Sequence, residues 1–112
     1  MDDIIDTKVL KRAQDTYGYS NQMAVVAEEL CELAVLCTKY VRYPNHTKAQ
    51  EELRNKIIGE VADVSICLKH ITMMFDISDS TLDDVIDKKL LRLQRWLNAN
   101  DSIYQTTKDR DL

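Results

Sequence analysis

Four acidic residues form two pairs with the same spacing, Glu29 with Glu32 and Glu60 with Asp63. In a helix, residues three apart lie on one face about one turn from each other, so both carboxylates of a pair can reach one ligand. Apolar residues surround each pair at three- to four-residue intervals, which places the acids on faces expected to pack inward. Unpaired carboxylates there would be costly to bury and would repel one another. The pattern therefore predicts a counter-charge between the two pairs.

Two kinds of counter-charge fit this pattern. A divalent cation that prefers hard oxygen ligands, Mg²⁺ with Mn²⁺ as a possible substitute, binds carboxylate and water oxygens and can also bind a phosphate. Alternatively, the acids are helix-surface groups that form ion pairs with Lys39, Arg42 or Lys56. Because the same paired arrangement occurs on two adjacent helices, the sequence favours the metal.

The chain that positions these acids is predicted to be all-α and to resemble a four-helix bundle. Two Gly, one Pro and no Asn-Gly or Asp-Gly pair leave little hairpin chemistry. We predict helices at about 4–15, 21–42, 47–75 and 80–98. Gly18 is predicted to cap the first helix in the left-handed conformation, Ser20 to cap the second, and Pro44 to end it.

Length, charge and cysteine content indicate the number of domains, the kinds of partner and the cellular location to expect. With 112 residues the chain is expected to form one domain over 1–98, followed by a polar tail at 99–112 that is frayed or docks on a neighbouring subunit. A net charge of −4 disfavours nucleic acid and anionic lipid as partners. No apolar run approaches the roughly 18 residues of a membrane span, and the acidic start lacks signal-peptide features, so we expect a cytoplasmic protein. Three cysteines without a CxxC pair indicate neither a disulfide framework nor a zinc site.

Two cations lie where the fourth helix would prefer apolar residues. Lys89 falls within the apolar stripe of that helix and Arg92 on its edge. They are predicted either to form salt bridges with the acids or to hold a polyphosphate. Lys88 and Arg95 lie further round the helix, where a solvated position is favoured.

Three segments together resemble a known family: residues 18–22 (GYSNQ), 27–33 (AEELCEL) and 59–64 (GEVADV). They are similar to the ExxE and ExxD signature of MazG-like nucleotide pyrophosphohydrolases, in the all-α NTP pyrophosphatase superfamily that also includes dimeric dUTPases and dCTP pyrophosphatases. The resemblance extends from about Tyr17 to Trp96. It implies a MazG-type fold that assembles as a dimer or tetramer and uses Mg²⁺ to hydrolyse a nucleoside triphosphate to monophosphate and pyrophosphate.

The resemblance also implies roles for individual acids. Glu29, Glu32, Glu60 and Asp63 would be the metal ligands. Glu28, at the edge of the same face, or Glu32 would orient or deprotonate the attacking water.

Substrate-binding roles follow from the same resemblance. Lys89 and Arg92 would hold phosphate oxygens, and Lys88 is the alternative because the register of basic residues in this helix varies among relatives. Gln22 would contact the sugar or the base. One departure is Gly59, which stands where many relatives carry a second acid, so the number of bound metals is open.

Two rival functions are weighed against this one. A carboxylate-bridged di-iron bundle also places acids in a helical core, but it requires Glu-x-x-His, and neither His46 nor His70 follows a Glu by three residues. A non-catalytic regulatory module would bind a nucleotide or a protein without turnover. Such a module would gain stability by replacing the buried acids with apolar residues, which argues against it. The non-catalytic module stays an alternative because Gly59 stands where many relatives carry an acid.

Overall fold

Within the residues that the structure describes, the chain forms four helices. The computed structural model describes the backbone of residues 4–42 and 47–110 and the side chains of residues 4–42 and 48–101. The helices are α1 (Thr7–Tyr17), α2 (Tyr19–Arg42), α3 (Thr47–Met74) and α4 (Asp79–Arg110). These described residues contain no strand, so the predicted all-α class is confirmed. None of the four helices has both the length and the apolar character of a membrane span.

Local capping sets the ends of α1 and the start of α2. The Asp6 carboxylate accepts a hydrogen bond of 2.9 Å from the Lys8 N–H, which starts α1 at Thr7 rather than at residue 4. Gly18 ends α1 with a positive φ of 82°, as predicted, but its ψ of 162° lies outside the left-handed helical region. The Gly18 carbonyl also accepts from the Gln22 N–H, so α2 begins at Tyr19 and the predicted Ser20 cap is wrong. Pro44 lies outside the described residues.

The break between α3 and α4 lies where the sequence predicts it. Asp76 ends the turn after α3 with a positive φ of 52°, and the Ser78 hydroxyl accepts from the Thr81 N–H at 3.2 Å, which caps α4. The predicted end of the last helix at 98 is wrong, because α4 continues to Arg110. Residues 77–112 contain neither Gly nor Pro, so nothing in their backbone chemistry interrupts the helix.

The chain divides into two compact units, Met1–Asp76 and Ile77–Leu112, and this boundary falls inside the single domain expected over 1–98. In the first unit, α2 and α3 form the main helix pair and α1 packs on α2. The buried apolar residues of this unit are Leu10, Val26, Leu36, Leu53, Val64, Cys67 and Met74. The expected inward face of each helix is therefore confirmed by Val26 and Leu36 on α2 and by Leu53, Val64, Cys67 and Met74 on α3.

Candidate metal centre

The pairing of α2 with α3 determines which acids meet. Glu32 shares one stretch of the groove between these helices with Asp63, and Arg42 shares another stretch with Ala49. The residue numbers on α2 rise as those on α3 fall, so the two helices are antiparallel. This register sets the Glu29 and Glu32 pair of α2 against the Glu60 and Asp63 pair of α3.

Three of the four predicted metal ligands converge on one point, which we call the carboxylate centre: Glu29, Glu60 and Asp63. One oxygen from each lies within 4.8 Å of the others. Glu29 and Glu60 are half-buried, and Asp63 is exposed. In an octahedral Mg²⁺ site with bonds of about 2.1 Å, ligand oxygens lie about 3 to 4 Å apart. Small side-chain rotations would therefore let these three oxygens share one ion.

Glu32, the fourth predicted ligand, lies beside this centre rather than within it. It is exposed and its carboxylate is a hydrogen-bond partner of the Glu60 carboxyl. Glu28 is exposed as well, and its charge acts on Glu29. The predicted acids are therefore neighbours, with Glu32 and Glu28 at the edge.

Burial and like charge change the acidity of the two half-buried carboxyls. Burial, hydrogen bonds to the Glu32 and Glu29 carboxylates, and the negative charges of these two groups together raise the pKa of Glu60 to about 7. The hydrogen bond from Glu60 lowers the pKa of Glu29, but burial and the charges of Glu32, Asp63 and Glu28 outweigh it and leave that pKa raised. At neutral pH, ionisation of all the carboxyls of the centre is therefore unfavourable without a counter-charge.

No protein cation neutralises the centre within the described part of the chain. The one ion pair found there joins Lys11 to Asp15 on α1. The Oε2 atoms of Glu29 and Glu60 are buried without a hydrogen-bond partner. The alternative in which Lys39, Arg42 or Lys56 pairs with the acids therefore fails in the described residues, and the unpaired oxygens could hold a divalent cation.

A groove of about 470 Å³ opens beside the carboxylate centre. Its lining residues are Glu32, Val35, Leu36, Asn55, Lys56, Gly59, Glu60 and Asp63. Asn55 was not predicted to be a site residue, and Lys56 was predicted only as an ion-pair partner of the acids. The sequence spacing could have identified Lys56 as a neighbour of the site, because it precedes Glu60 by four residues and so lies on the same face of α3.

The predicted substrate-binding cations lie in the second unit. Lys88, Lys89 and Arg92 are exposed on α4 and line a concavity of about 370 Å³ there. Arg95, which the sequence placed on a solvated face, lines the same concavity. Gln22 is half-buried on α2, in the first unit.

Cys67 lies next to the carboxylate centre on α3. Burial raises the pKa of its thiol, and the charges of Glu29, Asp63 and Glu60 raise it further. The thiol is therefore protonated and a poor nucleophile at neutral pH. This environment fits a small side chain that fills space in the core.

The raised pKa of Glu60 predicts how the metal-free protein responds to pH. The folded state keeps a proton on Glu60 up to about pH 7, whereas the unfolded chain loses it near the ordinary value of 4.5. This contribution to stability is complete below pH 4.5 and is lost as pH rises through about 7. In EDTA, we expect the urea midpoint of the wild type to fall over this interval relative to that of Glu60→Gln. Parallel profiles for the two proteins would contradict the assigned environment.

Gly59 provides a test of how open the groove is. A Cβ added at Gly59 would meet nothing within 4 Å. Gly59→Ala is therefore expected to raise the free energy of unfolding by about 1 kcal/mol, the helix-propensity difference between the two residues. Urea denaturation measures this change, with Ala62→Gly on the same helix as the opposite control. A loss of stability in Gly59→Ala would mean that another surface approaches this position.

Comparisons with known proteins do not add to this geometry: no family model, no curated protein and no solved structure matches the chain. The functional assignment therefore depends on the residues described above.

Proposed function

We propose that this protein is a Mg²⁺-dependent nucleoside triphosphate pyrophosphohydrolase with a MazG-type fold, which cleaves between the α- and β-phosphates to release monophosphate and pyrophosphate. The observation that supports it most is the convergence of Glu29, Glu60 and Asp63, with one oxygen of each within 4.8 Å of the others. Two carboxylate oxygens at this point are buried without a protein partner.

The donor set fits the proposed ion. Glu29, Glu60 and Asp63 would hold Mg²⁺, and Glu32 lies close enough to Glu60 to join them. All are hard oxygen donors, which Mg²⁺ and Mn²⁺ prefer. A di-iron site fits this donor set less well, because the set contains no imidazole. When bound, the ion would neutralise phosphate oxygens and lower the pKa of a bound water.

The residues at the edge of the centre supply the remaining chemistry. Glu28 and Glu32 are exposed beside it, where either carboxylate can accept a proton from the attacking water. Hydrolysis at the α-phosphorus also requires that charge developing on the leaving pyrophosphate be offset. The family resemblance implies Lys89 and Arg92 for that task, with Lys88 as the alternative, and Gln22 for contact with the sugar or base.

Exposed apolar side chains support a homodimer or homotetramer as the working form. Large residues on α2 and α3, such as Val35, Val41, Ile58 and Leu68, are more than two-fifths exposed in the single chain. Apolar surface on this scale is typical of contact surfaces between subunits. We further place the protein in the cytoplasm, where its free cysteines stay reduced.

The deciding experiment incubates the full chain with a panel of canonical and modified NTPs and dNTPs in Mg²⁺ and measures released phosphate species. We expect pyrophosphate and a nucleoside monophosphate from at least one triphosphate. Release of orthophosphate would contradict attack at the α-phosphorus. Binding of nucleotide without any cleavage would indicate the non-catalytic module instead.

A further inference from the structure

A second concavity of about 260 Å³ lies next to the groove beside the carboxylate centre, further along α2 and α3. The residues that line this second part are Lys39, Arg42, Ala49, Glu52, Leu53 and Lys56. Lys56 lines both concavities, so the two are neighbours along α2 and α3. Carboxylates therefore lie in the first concavity, and three cations, Lys39, Arg42 and Lys56, line the second, which we call the basic end.

Helix geometry gives the separation of the two ends. Lys56 precedes Glu60 by four residues, about 6 Å along the axis of α3. Arg42 follows Glu32 by ten residues, about 15 Å along α2. An extended polyanion that has one end at the carboxylate centre would therefore reach Lys56 first and Arg42 last.

The basic end carries excess positive charge. None of its three cations forms an ion pair within the described residues. The ion pair found there joins Lys11 to Asp15 on α1. Glu52 is the single acid among the residues that line this part, against three cations. Lys39 and Arg42 lie in the last turn of α2, where a cation interacts favourably with the helix dipole. Lys56 lies inside α3, so the helix dipole does not explain a cation at that position.

We propose that the basic end, rather than Lys89 and Arg92 of α4, binds the β- and γ-phosphates of the substrate, so that the triphosphate extends from the carboxylate centre, which holds its α-phosphorus, toward Lys56. This inference rests on the proposed function. In the reaction, the water oxygen bonds to the α-phosphorus and its proton passes to a carboxylate. The bridging bond to the β-phosphate breaks, and its electron pair leaves on pyrophosphate, whose charge Lys56, Lys39 and Arg42 offset.

Binding of inorganic pyrophosphate to the full chain, measured by calorimetry in Mg²⁺, tests this subsite apart from turnover. Lys56→Gln and the double variant Lys39→Gln/Arg42→Gln are each expected to raise the pyrophosphate Kd about tenfold or more, since each removes a charge-assisted contact. Lys56→Arg is expected to restore binding. Lys8→Gln, which removes an exposed charge on α1, is the matched control and is expected to bind as the wild type does.

Two results would overturn the inference. Unchanged pyrophosphate binding in both variants of the basic end, with Mg²⁺-dependent turnover retained, would remove the subsite and leave the proposed function intact. A loss of binding confined to Lys89→Gln/Arg92→Gln would assign the anion to α4 instead. Failure of the wild type to cleave any triphosphate is a separate readout, because it contradicts the proposed function wherever pyrophosphate binds.

Discussion

Replacing Glu60 by glutamine is expected to reduce pyrophosphate release on the order of 1000-fold or more, because it removes a ligand of the proposed ion, on which the proposed chemistry depends. The same change is expected to stabilise the metal-free protein at pH 8. Glu60 is half-buried beside the Glu29 and Glu32 carboxylates, and a neutral amide removes their mutual repulsion. Steady-state turnover and urea denaturation in EDTA measure the two effects.

Loss of activity together with increased stability distinguishes a functional acid from a structural one. Asp63→Asn, at the exposed edge of the centre, provides a second variant with the same expected direction for activity. Glu51→Gln, on the exposed face of α3 and outside both grooves, is the matched control and should alter neither quantity. Full turnover in both Glu60→Gln and Asp63→Asn would disprove the proposed metal centre.

Addition of Mg²⁺ is expected to stabilise the wild-type protein and its removal to abolish turnover. At a Mg²⁺ concentration of about 100 times Kd, binding to the folded state alone raises the free energy of unfolding by about 2.7 kcal/mol. The gain should grow as pH rises through 7, because the ion competes with the proton that Glu60 otherwise holds. Thermal unfolding measured over a Mg²⁺ titration at pH 6 and pH 8 tests both statements.

Ionic strength is the necessary control for this measurement. Salt screens repulsion among exposed carboxylates and could raise stability without any bound ion. A NaCl series at matched ionic strength separates the two effects, and the Glu60→Gln/Asp63→Asn double variant should lose the specific gain. Equal stabilisation by NaCl and MgCl₂ would argue against an ion held by the carboxylate centre.

The exposed apolar stripe of α4 shows that periodicity identifies one face of a helix but does not determine whether that face is buried. The sequence correctly places Leu82, Leu90 and Leu93 on one face of a helix, since periodicity depends only on the geometry of the helix. An apolar stripe of this kind usually packs against another surface, but these three residues and Trp96 are exposed in the single chain. Burial requires an opposing surface, and no pattern within one helix specifies it.

Local chemistry determined much of this protein from its sequence: the all-α class, the turn at Gly18, the break after Asp76 and the placement of each acidic pair on one helix face. These features depend on hydrogen bonds and side-chain spacing within a few residues. The tertiary structure alone decided that Glu29, Glu60 and Asp63 meet while Glu32 stays at the edge, and that the pKa of Glu60 rises to about 7. It also decided that Lys56 lines both the concavity beside the acids and the basic end. Those outcomes depend on the rotation and axial register of α2 against α3, which are set by side-chain packing between the helices rather than by periodicity within either one.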